Sequence, residues 1–297
     1  MDWLFLSILG TASISATSII DKFILNRYVQ NSTAYLISLV IVQQIFALII
    51  LAFRGAGILY SSSPAGLIPG FLLMAAWIAY LRALQLEDVS RVMSLTFVYP
   101  VFIFLGSGLL LGEALPLKNY AGAALLLISA FFASYRRSPG TGFMALSPAL
   151  KYLFCFWIFI ATYSVLIKML LLQMDEWQIY VLSSLGSLLA AVPLLAIRAI
   201  RSESLAIFYR GLLVIGAVLL EESLDFSGRI CMIFAYALGS VALVSSVGAL
   251  QPLIVLSYIV ILSLFRPGLI HEEIGRDTLA LKLAAVVLVA LGIFLIQ

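Results

Sequence analysis

Long stretches of this chain carry no charged side chain. Trp3 to Ile20, Tyr28 to Phe53, Gly55 to Leu81, Val92 to Gly112, Trp177 to Ile197 and Ile230 to Phe265 lack Asp, Glu, Lys and Arg altogether, and most reach the roughly 18 residues that mark a membrane-spanning segment. Hydrocarbon offers no hydrogen bonds, so a spanning segment must satisfy its backbone as a helix or within a closed barrel. The period-two alternation of a barrel strand is absent, whereas unbroken Leu, Ile, Val, Ala and Gly runs suit helices. Of the 297 residues, 64% are hydrophobic and 10% charged, against about 25% charged in water-soluble domains. The expectation is an all-α integral membrane protein with no soluble domain left over.

Polar clusters and Gly or Pro boundaries predict ten helices, near 3–25, 33–53, 66–85, 90–111, 119–135, 149–172, 177–197, 212–237, 241–265 and 279–296. The opening MDWLFLSILG has neither a basic region nor a persuasive cleavage site, so the first span is expected to be retained. Cys155 and Cys231 each sit inside an apolar stretch and read as buried thiols, not a disulfide framework. His271 is the single histidine, and no metal-ligand spacing, phosphate loop or nucleophile elbow is present. No cofactor, ATP-driven pumping or enzymatic activity is expected. The net charge of +3 is spread singly or in pairs between apolar runs, which makes nucleic acid an unexpected partner.

The chain also repeats itself. SIIDKFIL (Ser18 to Leu25) is echoed by SVLIKMLL (Ser164 to Leu171), which places Lys22 opposite Lys168. Ser38-Leu39 then matches Ser184-Leu185, VYPVFIF (Val98 to Phe104) matches LQPLIVL (Leu250 to Leu256), and LGEALPLKNYAGAALLLISA resembles HEEIGRDTLALKLAAVVLVALG. The predicted halves are residues 1–138 and 139–297, with five helices each. An odd number of helices per half turns the second half upside down in the membrane, the inverted repeat of many secondary transporters.

In these features the chain resembles the drug/metabolite transporter superfamily of EamA type, whose members carry two five-helix repeats. The resemblance rests on Lys22, Ala83-Leu84, Pro100 and Leu111-Gly112-Glu113 in the first half, and on Lys168, Ala237-Leu238, Pro252 and Glu272-Glu273 in the second. It implies a multi-pass transporter with both termini in the cytoplasm; the plasma (cell inner) membrane is the expected location. The sequence departs from the pattern at RPGLIHEEIGRD, where a longer or re-entrant loop is expected across 266–277. Basic residues point the other way on orientation: 13 of the 17 fall on the side of the loops after odd-numbered helices, which by the positive-inside rule places both termini outside. Orientation stays open.

The most unusual segment is LLEESLDFSGRI, Leu219 to Ile230. If the eighth helix matches the third, it begins near Leu212 and carries Glu221, Glu222, Asp225 and Arg229 at membrane depth. Each ionisable group there costs about 2.5 to 3.5 kcal/mol on insertion scales unless it faces a partner or a wet cavity. Glu222, Asp225 and Arg229 recur at i, i+3 and i+7, one helix face, and Asp225 with Arg229 forms an i, i+4 pair. That face is expected to point inward, thinned by Ser223, Ser227 and Gly228. Glu221 or Glu222, lacking a partner on its own helix, is a candidate proton carrier. Two alternatives stand beside this: a loop with Leu205 to Leu220 as a separate span, and a purely structural ion pair.

Lys22 and Lys168 either snorkel to the interface or face a central cavity, where Lys168 would pair with Glu222. Pro100 and Pro252 are expected to break helices in mid-span, with Tyr99 and Gln251 supplying polar tips at the same depth; a structural kink is the alternative. Trp77, Trp157 and Tyr163 form either an aromatic wall or ordinary packing. The function expected is secondary transport of a small metabolite, an amino acid or related organic solute, by alternating access between the halves. Its expected partners are that solute, protons or a counter-substrate, membrane lipids and a second copy in a homodimer. The alternatives are a divalent-cation pathway through the oxygens of Glu221, Glu222 and Asp225, and a lipid or head-group translocase.

Overall fold

The computed structural model describes residues 2–60, 63–87, 98–112, 116–134 and 148–265, with Val92, Leu95, Thr96 and scattered residues between 284 and 295. Every described element is helical. Helix α1 is Trp3–Arg27 and α2 is Ser32–Arg54. α2 starts where the Asn31 side chain accepts from the Thr33 and Ala34 amides at 3.1 and 3.3 Å, and stops at Gly55, whose φ of 78° a side chain would resist. A 3-10 turn Pro64–Leu67 leads into α3, Ile68–Leu86. α4 is Tyr99–Leu110, α5 Leu117–Ser134 and α6 Leu150–Leu170. α7, Glu176–Leu195, opens with a capping box between Asp175 and Gln178, which satisfies two otherwise orphaned amides. The short helix Arg198–Ala206 and turn Ile207–Tyr209 follow, bent by 105° from α8, Leu212–Leu238. Val241–Val247 and the 3-10 turn Gly248–Leu250 precede α9, Gln251–Phe265.

Among the described residues five helices are long and apolar enough to cross a membrane, or six if the bent pair Arg198–Tyr209 and Leu212–Leu238 counts as one span. Within that pair α8 has ample length alone, since 27 residues extend about 40 Å; what sets it apart from the five is its four ionisable side chains. Phe53, Leu109 and Leu212, all more than 80% exposed, suit hydrocarbon surroundings and would be a liability in water.

The packing pairs helices that are far apart in the sequence. α1 lies along α8, α3 along α6, and α2 against α7, while α4 packs on α6 and α9 on α1. Exchanging α1 for α6 and α3 for α8 turns the α1–α8 contact into the α6–α3 contact. Small residues permit the closest crossings: a Cβ on Gly228 would lie 2.6 Å from Ile14 Cγ1, and one on Gly186 would lie 2.0 Å from the Leu67 carbonyl.

Three expectations need correction. Pro100 and Pro252 are not interior to a helix; each is the second residue of its helix, α4 or α9, among the first amides, which have no acceptor within the helix. Before Pro252 the interruption lies upstream, in the turn at 248–250. Leu205 to Leu220 is not a separate span, because Leu205 belongs to the short helix and α8 runs unbroken from Leu212. Cys155 is exposed and Cys231 half-buried, both free thiols. Glu113, His271, Glu272, Glu273 and the loop 266–277 lie outside the described residues.

Candidate functional site

α8 presents Glu222, Asp225 and Arg229 on one face, and that face is buried. The Arg229 guanidinium forms an i, i+4 ion pair with Asp225 and lies 3.7 Å from Glu222 Oε2. From α2, the Gln43 carboxamide turns its oxygen toward the guanidinium, 2.6 Å from Nη1, and lies 3.0 Å from Ser184 Oγ on α7. The Tyr180 ring, also on α7, sits with its centroid 5.6 Å from the Arg229 guanidinium carbon, a cation–π arrangement. A charge this deep is tolerated only with such company, since a buried ion without partners costs several kcal/mol.

A further buried acid comes from α1. Asp21 is 2% exposed and accepts a hydrogen bond from the Tyr35 hydroxyl on α2 at 2.9 Å. Asp21, Gln43, Glu221, Glu222, Asp225 and Arg229 line a small cavity with about 30 Å³ open to water centres, enough for one or two waters. Asp225 and Arg229 also border a larger cavity, with about 90 Å³ open in the same sense. Its walls are aromatic: Trp77, Tyr80, Tyr99, Phe156, Tyr163 and Tyr236, with Ser18, Thr96, Ser164 and Gln251 adding polar atoms. Trp77 meets Tyr80 edge-on at 4.9 Å, and Tyr99 meets Phe156 edge-on at 6.4 Å. The Tyr236 hydroxyl is held 3.3 Å from both Ser164 and Ser245.

The structure thus gathers Glu221, Glu222, Asp225 and Arg229 at the small cavity, and Trp77, Tyr99, Tyr163 and Gln251 with the ion pair at the larger one. Lys22 and Lys168 line neither. Lys22 Nζ donates to the Leu84 and Glu87 carbonyls, both at 2.6 Å, and Lys168 Nζ to those of Tyr236 and Gly239 at 2.6 and 2.9 Å. The pairing of Lys168 with Glu222 is therefore replaced by capping of the end of α8. Trp157 is also elsewhere, donating to the Leu95 carbonyl at 3.0 Å and stacked on Phe102.

Sequence reasoning missed Asp21, Tyr35, Gln43, Tyr180 and Ser184. Two of these left a signal. Asp21 stands inside SIIDKFIL beside the lysine that drew attention, and Gln43 is a polar residue midway along a charge-free run. Nothing distinguishes Tyr35, Tyr180 or Ser184 in a chain rich in both residue types.

A bundle of apolar helices buried around an ion pair and internal cavities is the architecture of a multi-pass integral membrane protein. Residues 1–135, somewhat under half of the chain, match the model of the EamA-like transporter family, within the drug/metabolite transporter superfamily, a family of membrane transporters of small solutes. Among curated proteins none matches this sequence. A solved structure described only as "Crystal structure of protein" resembles it over 96% of this chain and 95% of the other, with 17% identity and a TM-score of 0.59. That likeness speaks to the fold along the whole length.

Proposed function

We propose that the protein is a secondary transporter of a small organic solute, an amino acid or a close relative, working by alternating access between two inverted five-helix halves, 1–138 and 139–297, in the plasma (cell inner) membrane. The observation that carries this reading is the Asp225–Arg229 pair, buried on α8 yet bordering an aromatic cavity walled by residues of α1, α3, α4, α6, α8 and α9. A solute bearing both an ammonium and a carboxylate finds an acid and a guanidinium side by side there, with ring faces to cover its apolar part. The exchange symmetry of the helix pairs supports the repeat, and so does the irregular backbone just before α9, since interrupted helices surround the central site in several transporter folds.

A divalent-cation pathway is less well supported. The Arg229 guanidinium sits among the acids such an ion would need, and among the described residues no three His, Cys, Asp or Glu side chains converge in a way that would hold a metal.

The test is a thermal-shift screen of the detergent-solubilised protein against amino acids, sugars, nucleosides and magnesium, because a ligand of the folded state raises its melting temperature. Counterflow of the stabilising solute in liposomes then follows, with Arg229→Ala and Asp225→Asn alongside the wild type. Amino acids should stabilise, and both variants should lose flux by about tenfold or more, the equivalent of 1.4 kcal/mol of binding. Stabilisation by magnesium alone, or full flux in both variants, would remove the reading.

A further inference from the structure

The small cavity contains more acid than its ion pair offsets. Asp21 on α1 and Glu221, Glu222 and Asp225 on α8 line it, and Arg229 is the cation among those lining residues. The four acids are between 2% and 5% exposed. One guanidinium balances one carboxylate, so up to three formal negative charges remain where water is nearly excluded. Unbalanced buried carboxylates of this kind bind a counter-charge or become neutral. Glu221 Oε2 and Glu222 Oε2, lining the cavity, have no hydrogen-bond partner among the described residues. Of the two, Glu222 Oε2 still faces the Arg229 guanidinium at 3.7 Å.

Neighbouring helices bring other groups to the cluster. Arg229 apart, the titratable ones among the described residues are phenols: Tyr35 from α2 bonded to Asp21, Tyr80 from α3, Tyr163 from α6 and Tyr180 from α7. Val241–Val247, also against α8, contributes no titratable side chain. The Lys22 ammonium, next to Asp21 in sequence, donates to the carbonyls at the end of α3 and does not line the cavity.

We infer that Asp21, Glu221 and Glu222 form a proton-coupling site, separate from the solute chamber and linked to it through the Asp225–Arg229 pair that borders both. The inference rests on the transporter reading. The ligand is a proton and not a metal ion because the oxygens do not converge as metal ligands, while each carboxyl can hold a proton independently and the space beside them admits only a water or two. The linkage has a direction. A solute carboxylate drawn to Arg229 weakens the hold of the guanidinium on Asp225 and Glu222, which leaves the cluster more negative and favours uptake of a proton. By reciprocity a protonated cluster then favours the solute, so proton and solute travel together.

The test uses the full chain in liposomes loaded with a pH-sensitive dye, equal pH on both sides, and an outside pulse of radiolabelled amino acids. The wild type should acidify its interior as label enters. Glu221→Gln and Asp21→Asn, isosteres on different helices that cannot carry the proton, should each lose most of the acidification per solute moved. Label entry without acidification in the wild type, or a wild-type ratio in both variants, overturns the proton site and leaves the transporter reading intact. If the wild type moves no label, the transporter reading fails instead, and infrared spectroscopy of the reconstituted protein decides the site. A carbonyl band of protonated carboxyl groups at neutral pH, weakened in Glu221→Gln, supports it; no such band overturns it.

Discussion

Lys22 in SIIDKFIL and Lys168 in SVLIKMLL make matching bonds. Each ammonium donates to the residue that caps a neighbouring helix and to the carbonyl three residues before it: Glu87 and Leu84 at the end of α3, Gly239 and Tyr236 at the end of α8. The last carbonyls of a helix have no amide of their own to accept from, and a cation there also offsets the negative end of the helix dipole. The two lysines tie α1 to α3 and α6 to α8 by the same device.

Lys22→Met and Lys168→Met should therefore each destabilise the protein by about 1.5 to 3 kcal/mol, the usual range for hydrogen bonds from a charged donor. Denaturant titration in micelles would measure both. The two losses should be similar, and the double variant should show their sum because the sites share no partner. Free snorkelling of either side chain to the interface would instead leave stability unchanged.

The crossing of α3 and α7 offers a sharper steric test. A Cβ on Gly70 would lie 2.1 Å from the Ser183 carbonyl and one on Gly186 2.0 Å from that of Leu67, whereas Gly216 on α8 has nothing within 4 Å. Backbone cannot move aside as a side chain can. Gly70→Ala and Gly186→Ala should each cost about 1 to 3 kcal/mol or more, as overpacking does, while Gly216→Ala should be neutral or gain up to about 1 kcal/mol from helix propensity. Thermal unfolding of the three variants would check this, and a stable Gly186→Ala would mean that the helices are further apart than described.

The lysines also show where sequence reasoning reached and where it stopped. Their equivalence was legible because landmarks recur in one order, and the inward face of α8 was legible because charges in hydrocarbon at i, i+3 and i+7 have few other places to go. Their acceptors were not, since backbone carbonyls leave no trace in sequence. Asp21 was overlooked for a related reason: its partner Tyr35 is on another helix, 14 residues away, and an aromatic residue in an apolar run looks like packing. The prolines were misplaced because hydropathy continues unchanged through the turn at 248–250, so nothing in composition separates a helix from a break in one.

Position within the helix makes the prolines a test of that correction. Pro100 and Pro252 begin their helices, where the ring takes no hydrogen bond away. Pro100→Ala and Pro252→Ala should shift stability by no more than about 1 kcal/mol, the scale of proline effects through the unfolded chain. Denaturant titration would show it; a gain near 3 kcal/mol in either variant would instead mark a proline in a helix interior.

The ion pair separates itself from an ordinary surface bridge through its double variant. Arg229→Ala leaves Asp225 and Glu222 buried with their cation gone, and removing one partner of a buried pair typically costs about 3 to 5 kcal/mol. Asp225→Ala should cost less, because the guanidinium keeps Gln43 at 2.6 Å, Glu222 at 3.7 Å and the Tyr180 ring. Combining the two removes both charges, so the double variant should be more stable than Arg229→Ala alone. Unfolding free energies of the four proteins give the coupling directly. Additive losses would mean that the two side chains do not sense each other, and the shared wall between the two cavities would then carry no signal between them.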